Sequence, residues 1–289
     1  MIAESWLEAF NKKSSDEGVP YRTRPFLALR AWSIEHSVSI SLTSDMAKHV
    51  FDWFQRNSAP QSHAIGALFT GIFFYDVYFW PINIPIAYGT VSLEPFVALR
   101  NMPESVISRL RNESIARLAF LGCWADCVDY GFGRDDLQKN RKLSSFAEQL
   151  FTAADAQIDA TVALLLEHRP NSKAMDCARM ATEIVLKAFL ATHDALTERG
   201  AKGIGHDLTS ALDACIRANP NTELAVLSGS ISAFPPIESR YQGTSFTLDQ
   251  LWSAYATAQF AASAFVRSVT DRNMRRTIEV QLQRSTPTS

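Results

Sequence analysis

Residues 172–190 read SKAMDCARMATEIVLKAFL, and the pattern within them decides the fold of the second half of the chain. Small and apolar residues recur there every three or four positions, which is the period of an α-helix that buries one face. Ser172 can cap this helix at its start. The residues predicted to line the buried face are Met175, Ala178, Ala181, Val185 and Ala188.

A second stripe on the same predicted helix is charged. Asp176, Arg179, Glu183 and Lys187 follow one another at spacings of 3, 4 and 4 residues. Glu183 precedes Lys187 by four residues, the favourable order for a helical ion pair worth ~0.2–0.5 kcal/mol. The stripe is therefore either a solvated face with internal pairing or part of a binding site.

Three further amphipathic helices are predicted around this one. The first spans Phe146 to Leu165 and is closed by Pro170, the next begins at Asp207 and ends before Pro220, and the last runs from about Leu248 to Val269. Each carries apolar residues at helical spacing along one side. Four such helices predict an all-α bundle over residues 143–273.

Three short segments occur in a fixed order within this region. They are ARMATEIVLKAFL at 178–190, GHDL at 205–208 and FPPIESRY at 234–241, the last before a long Ala-rich helix. Together they resemble the HEPN (higher eukaryotes and prokaryotes nucleotide-binding) superfamily, over roughly residues 144–272. The resemblance implies an up-and-down bundle of four to five helices that forms a homodimer and binds nucleotide or RNA.

The candidate phosphate-binding residues come from those three segments. They are Arg240, His206, Glu183, Lys187, Tyr241 and Arg179. A guanidinium on a loop stiffened by two prolines suits phosphate recognition, although Arg240 could instead form a salt bridge with Glu183 or Glu238. His206 is expected to point over the end of the bundle, as a packing residue or as a ligand. Asp207 occupies the N-cap position of its helix.

Many relatives in the superfamily are ribonucleases with an R-x4-6-H motif near the last long helices. Here that spacing joins Arg30 to His36, Arg56 to His63 and Arg199 to His206, none of them where the family has it. The chain therefore resembles the branch that binds without cleaving, and no catalytic residue, metal site or cofactor is assigned. A metal-independent ribonuclease of the toxin or defence type is one alternative. The other is a dimerisation platform whose N-terminal half binds a partner.

The first half has a mixed texture that predicts an α+β domain over residues 1–138, of unknown role. Strand-like runs occur at Pro25–Ile34, Ile65–Phe74, Tyr75–Phe79 and Ile82–Tyr88, and helices are predicted at Asp45–Arg56 and from Pro103 to about Asp129. The polar segment GFGRDDLQKNRK at 131–142 has the composition of a domain boundary. Residues 274–289, with their arginines, are expected to form a basic C-terminal tail. The fold class is thus α+β, with a C-terminal bundle.

Composition excludes several classes of protein. The 289 residues are 47% hydrophobic and 20% charged with a net charge of −2, so the total field cannot hold a polyanion. Four cysteines without a framework spacing favour a reducing cytoplasm. The most apolar window, Ala64–Trp80, contains Asp76 and is too short to span a membrane. Any nucleic-acid contact must therefore use a local patch of a cytoplasmic protein.

Overall fold

A computed structural model shows a mostly helical chain with one antiparallel hairpin among the residues that it describes. This agrees with the predicted α+β class. The chain divides into two compact units, Met1–Gly66 and Ala67–Ser289. None of the helices in the described part of the chain is both long and apolar enough to cross a membrane. The described residues are 2–41, 44–57, 67–86, 92–140, 143–236 and 245–285.

The described residues of the first unit form three helices around a small core of their own. They are α1 (Glu4–Asp16), α2 (Arg24–Glu35) and α3 (Asp45–Arg56), with a 3-10 turn at Tyr21–Thr23. Helix α3 confirms its prediction, and the Ser44 hydroxyl accepts a hydrogen bond from the Ala47 amide to cap it. The core residues are Ile2, Leu7, Ala28, Leu29, Ala47, Val50, Trp53 and Phe54.

The predicted strand at Pro25–Ile34 is wrong, because these residues lie inside α2. Pro25 occupies the first turn of that helix, where its missing N–H costs no hydrogen bond. Ala28 and Leu29 are buried in the core, while Leu27 and Ile34 are exposed. Apolar residues on both sides of the helix hid its period, so the run resembled a buried strand.

The second unit begins with a hairpin of strands β1 (Phe69–Tyr75) and β2 (Tyr78–Ile84), paired antiparallel from Phe69 opposite Ile84 to Tyr75 opposite Tyr78. Phe69–Phe74 of β1 and Ile82–Ile84 of β2 confirm the runs Ile65–Phe74 and Ile82–Tyr88, whereas the run Tyr75–Phe79 is not one strand, because it contains the turn at Asp76 and Val77. Ile65, Ala87 and Tyr88, at the ends of those runs, lie outside the described residues.

Helices make up the rest of the second unit, and the core sits among the longest of them. The described helices are α4 (Glu104–Asn112), α5 (Ser114–Asn140), α6 (Ser145–Leu165), α7 (Lys173–Thr192), α8 (Glu198–Ile204), α9 (Leu208–Ala218), α10 (Leu248–Val269) and α11 (Met274–Ser285), with 3-10 turns at Pro95–Leu99, Glu223–Gly229 and Ile231–Ala233. Helix α7 packs against α6, α9 and α10, and α10 also packs against α5. The four helices predicted between residues 146 and 269 are confirmed as α6, α7, α9 and α10.

The domain boundary predicted at 138–143 is not where the chain divides, since the first unit ends at Gly66 and the second begins at Ala67. Helix α5 includes residues 131–140 of the segment that resembles a linker. Its glycines allow close packing, because a Cβ on Gly133 would lie 1.9 Å from Cγ1 of Val266. A Cβ on Gly131 would lie 3.0 Å from Phe69. The hairpin and α5 therefore belong with the second unit.

Residues 274–285 of the predicted C-terminal tail form helix α11, which packs on α5, and residues 286–289 lie outside the described residues. The Asp129 carboxylate caps its first turn, accepting from the amides of Met274 at 2.6 Å and Arg275 at 3.2 Å. Arg275 Nη1 and Arg267 Nη1 donate to Asp126, at 2.5 and 2.8 Å. Burial raises the pKa of both Asp126 and Asp129. The local sequence gives no sign of this packing, because the acidic partners lie far back in the chain, Asp126 being 141 residues before Arg267.

Candidate functional site

The charged stripe of α7 is centred on a buried carboxylate. The Glu183 side chain is 8% exposed, and Lys187 Nζ donates to its Oε1 at 2.8 Å. Arg179 Nη1 lies 3.5 Å from Oε2. The predicted internal pairing is confirmed, and two cations from the neighbouring turns balance the charge of one buried acid.

His206 completes the pairing of Glu183 from the loop before α9. Its Nδ1 lies 3.0 and 3.1 Å from the two carboxylate oxygens of Glu183. A carboxylate can only accept, so Nδ1 carries the hydrogen and donates it. The His206 side chain is 61% exposed, and Nε2 is therefore left for solvent or a ligand. The imidazole is held in one orientation by an acid that is itself fixed.

Arg179 and Lys187 also hold the neighbouring loops against α7. Arg179 donates from Nη2 to the His206 carbonyl at 2.7 Å and from Nε to the Pro235 carbonyl at 3.1 Å. Lys187 Nζ donates to the Gly205 carbonyl at 2.8 Å. Gly205 has a φ of 64°, a conformation that favours glycine. The glycine therefore allows the turn that brings His206 over the stripe.

Four of the six predicted site residues thus form one connected cluster, namely Arg179, Glu183, Lys187 and His206. Arg240 and Tyr241 lie outside the described residues.

A hollow of about 200 Å³ opens beside this cluster, along the exposed side of α7. Sequence reasoning did not assign its apolar members or Asp176 to the site. The signal was present, because Asp176 lies three positions before Arg179, Met180 lies three before Glu183, and Ile184 lies four after Met180. The additional lining residues are Asp176, Met180, Ile184 and Pro236.

Asp207 follows His206 and has the predicted role of an N-cap. Its Oδ1 accepts from the Thr209 amide at 3.0 Å, and its Oδ2 accepts from the Ser210 hydroxyl at 2.6 Å. The bond from Ser210 is the main reason that the pKa of Asp207 is lowered. Asp207 therefore fixes the start of α9, and with it the position of His206.

No family model, curated protein or solved structure matches this chain. What the site can do therefore follows from its own geometry. Among the described residues, no three His, Cys, Asp or Glu side chains come together as metal ligands would. The cluster offers instead an exposed imidazole, a fixed guanidinium and a hollow with apolar walls.

A second hollow, of about 440 Å³, lies beside Phe260 of α10 and the first turns of α11. Most of the charged side chains that line it already form ion pairs. Arg275 donates to Asp126 and also to Glu279, while Glu223 accepts from Arg267 at 2.8 Å. These pairs connect α5, α10 and α11, so we assign them to stability.

Proposed function

We propose that the chain binds a nucleotide or RNA at the hollow on α7, with a phosphate contacting His206, and that it does so without catalysis. The observation that carries this proposal is the exposed imidazole of His206, held through Nδ1 by the buried Glu183. When Nε2 carries a proton as well, that nitrogen becomes a second donor, which can bond a phosphate oxygen. The fixed orientation lowers the entropy cost of that contact.

Arg240 and Tyr241 supply the rest of the phosphate contact in this proposal. Pro236 lines the hollow, and Arg240 follows it by only four residues in the sequence. A guanidinium offers paired N–H groups that match two phosphate oxygens. Arg179 and Lys187 act here as positioning residues, because their N–H groups already bond the Glu183 carboxylate and three backbone carbonyls.

The finer architecture also belongs to the proposal. We take α6, α7, α9 and α10 as an up-and-down bundle of four to five helices that forms a homodimer in the cytoplasm. Supporting this, α7 packs against the other three, and their bounds match the order of segments that resembles the HEPN superfamily. Sedimentation equilibrium is expected to give a dimer whose population rises with concentration, and a monomer at all concentrations would contradict it.

Binding is tested by calorimetric titration of purified protein with nucleoside monophosphates and with a mixed-sequence RNA oligomer. His206→Ala and Arg240→Ala are each expected to weaken binding by about 10-fold or more, because each removes a charge-assisted bond to phosphate. RNA affinity is also expected to fall as salt rises.

Two substitutions at exposed positions serve as matched controls. His168→Ala and Arg217→Ala remove the same side-chain types and are expected to leave affinity unchanged. Failure of every nucleotide and RNA to bind the wild-type protein would refute the proposed function.

A second candidate function is metal-independent cleavage of RNA. The specific observation in its favour is the Glu183–His206 pair, since a carboxylate on Nδ1 leaves Nε2 able to accept a proton from a ribose 2′-OH. Cleavage in EDTA that His206→Ala removes, and that His168→Ala does not, would support this function. Intact RNA after long incubation would retire it.

A further inference from the structure

We infer that the hollow on α7 takes the base of the ligand rather than its phosphate, and that it takes guanine in preference to other bases. This inference rests on the proposed function and names the part of the ligand that the interior recognises. The phosphate then lies at the rim, beside His206.

The first argument concerns the cations that lie next to the hollow. Each nitrogen of the Arg179 guanidinium faces a protein oxygen, on Pro235, on His206 and on Glu183. Lys187 Nζ bonds both Glu183 and the Gly205 carbonyl. A phosphate inside the hollow would therefore compete with four existing bonds and would face the carboxylate of Glu183. The interior suits a group without negative charge.

The second argument concerns the walls. Met180, Ile184 and Pro236 give the hollow apolar sides, and Met180 is 38% exposed. Arg179 also lines it, and contacts with three oxygens fix the orientation of its planar guanidinium. Bases stack on guanidinium planes and on apolar side chains, and this contact does not require free N–H groups. A volume of about 200 Å³ has room for one base but not for a whole nucleotide.

The third argument concerns Asp176, which lies at the other end of the hollow from Glu183 and His206. The seven residues from Asp176 to Glu183 along α7 correspond to about 10 Å, which a base and its ribose can bridge. Lys173 Nζ lies 3.1 Å from Oδ2 of Asp176, and the carboxylate is 26% exposed. We assign its remaining acceptor capacity to the ligand. A carboxylate only accepts, so it selects a base edge that donates.

Guanine is the base that satisfies this selection best. Its Watson–Crick edge presents the N1–H and N2–H groups side by side, which matches the two oxygens of a carboxylate. Adenine and cytosine each place an amino group beside a ring nitrogen that accepts, and uracil has a single N–H between two carbonyls. These bases would lose one hydrogen bond to Asp176, and their acceptor atom would also be repelled by its carboxylate, so both effects lower their affinity.

Calorimetric titration with three nucleotides tests the inference: guanosine, inosine and adenosine monophosphate. Guanosine monophosphate is expected to bind at least 10-fold more tightly than adenosine monophosphate. Inosine monophosphate lacks the N2 amino group and is expected to lie between them. Asp176→Asn is expected to lower the affinity for guanosine monophosphate by about 10- to 100-fold. The reason is that the amide offers one acceptor and places N–H donors against the donors of the base. Affinity for adenosine monophosphate should change little.

Asp249→Asn is the matched control, since Asp249 lies in the first turn of α10, as Asp176 lies in that of α7, but is exposed and does not line the hollow. It should leave all three affinities as they are, and thermal melts should confirm that both variants fold. Equal binding of the three nucleotides, or an unchanged guanosine preference in Asp176→Asn, would overturn the inference while leaving the proposed function in place. Failure of all three and of RNA to bind would overturn both.

Discussion

Glu183 is the residue on which the cluster depends, because Arg179, Lys187 and His206 all contact its carboxylate. Removing its carboxylate leaves the Arg179 and Lys187 side chains, which are 12% and 11% exposed, without their shared acid. Breaking a buried ion pair in this way costs about 3–5 kcal/mol. Glu183→Ala is therefore expected to lower the free energy of unfolding by about that amount, measured by urea denaturation.

The control for this prediction is Glu148→Ala, which removes an exposed glutamate from the first turn of α6. Its effect should stay within about 0.5 kcal/mol. A Glu183→Ala protein as stable as the wild type would show that the cluster is a solvated stripe, as the alternative interpretation of the sequence held.

Gly133 shows at the scale of elements how α5 and α10 fit together. Alanine is the better helix former by about 1 kcal/mol, yet a Cβ here would lie 1.9 Å from Val266 Cγ1 and would force the helices apart. Gly133→Ala is expected to lower the free energy of unfolding by about 1–3 kcal/mol, as overpacking does. Chemical denaturation measures it.

Gly122 provides the matched control in the same helix. The nearest atom to a Cβ there is Arg275 Nη2, at 3.9 Å, so an alanine has room. Gly122→Ala is expected to raise the free energy of unfolding, by up to about 1 kcal/mol. Equal effects at the two positions would contradict the close packing assigned to Gly133.

The sequence could predict those elements whose signal is local, and it could not predict those that depend on a distant partner. Helices α6, α7, α9 and α10 carry apolar residues at helical spacing, so local period alone located them. Gly131 and Gly133 resemble loop residues in the sequence, because the side chains that leave no room for a Cβ come from other elements, Phe69 of β1 for Gly131 and Val266 of α10 for Gly133. Helix α11 was missed for the same reason, since its cap, Asp129, comes from α5.

The candidate site was predictable to the extent that it lies on one helix. Arg179, Glu183 and Lys187 share a face by spacing, and the resemblance added His206. The role of Arg179 was not predictable, because its acceptors are the backbone carbonyls of His206 and Pro235, and no sequence pattern specifies a carbonyl's direction. Asp176 lay in the predicted stripe, but only the hollow indicates a use for it.

For the whole molecule, the position of the division predicts which fragments fold. Among the residues that the structure describes, the second unit, from residue 67 onward, contains both partners of the long-range bonds that anchor α10. Tyr255 of α10 donates to Gln259 and accepts the Ile72 amide of β1 at 3.0 Å, while Arg267 is paired with Asp126 and Asp129 of α5. A fragment of residues 67–289 is therefore expected to unfold cooperatively and to keep ligand binding at the α7 hollow.

A fragment of residues 143–289, the bundle that the sequence alone would define together with its tail, is expected to fail. It lacks β1 and α5, so the apolar face of α10 would be exposed and Arg267 would lose two of its three acids. The free energy lost with the partners of a buried charge and with the apolar contacts of a whole helix exceeds the net stability of a domain this small. Circular dichroism should show helix without a cooperative thermal transition. A sharp transition in this fragment would instead support a domain boundary at residues 138–143.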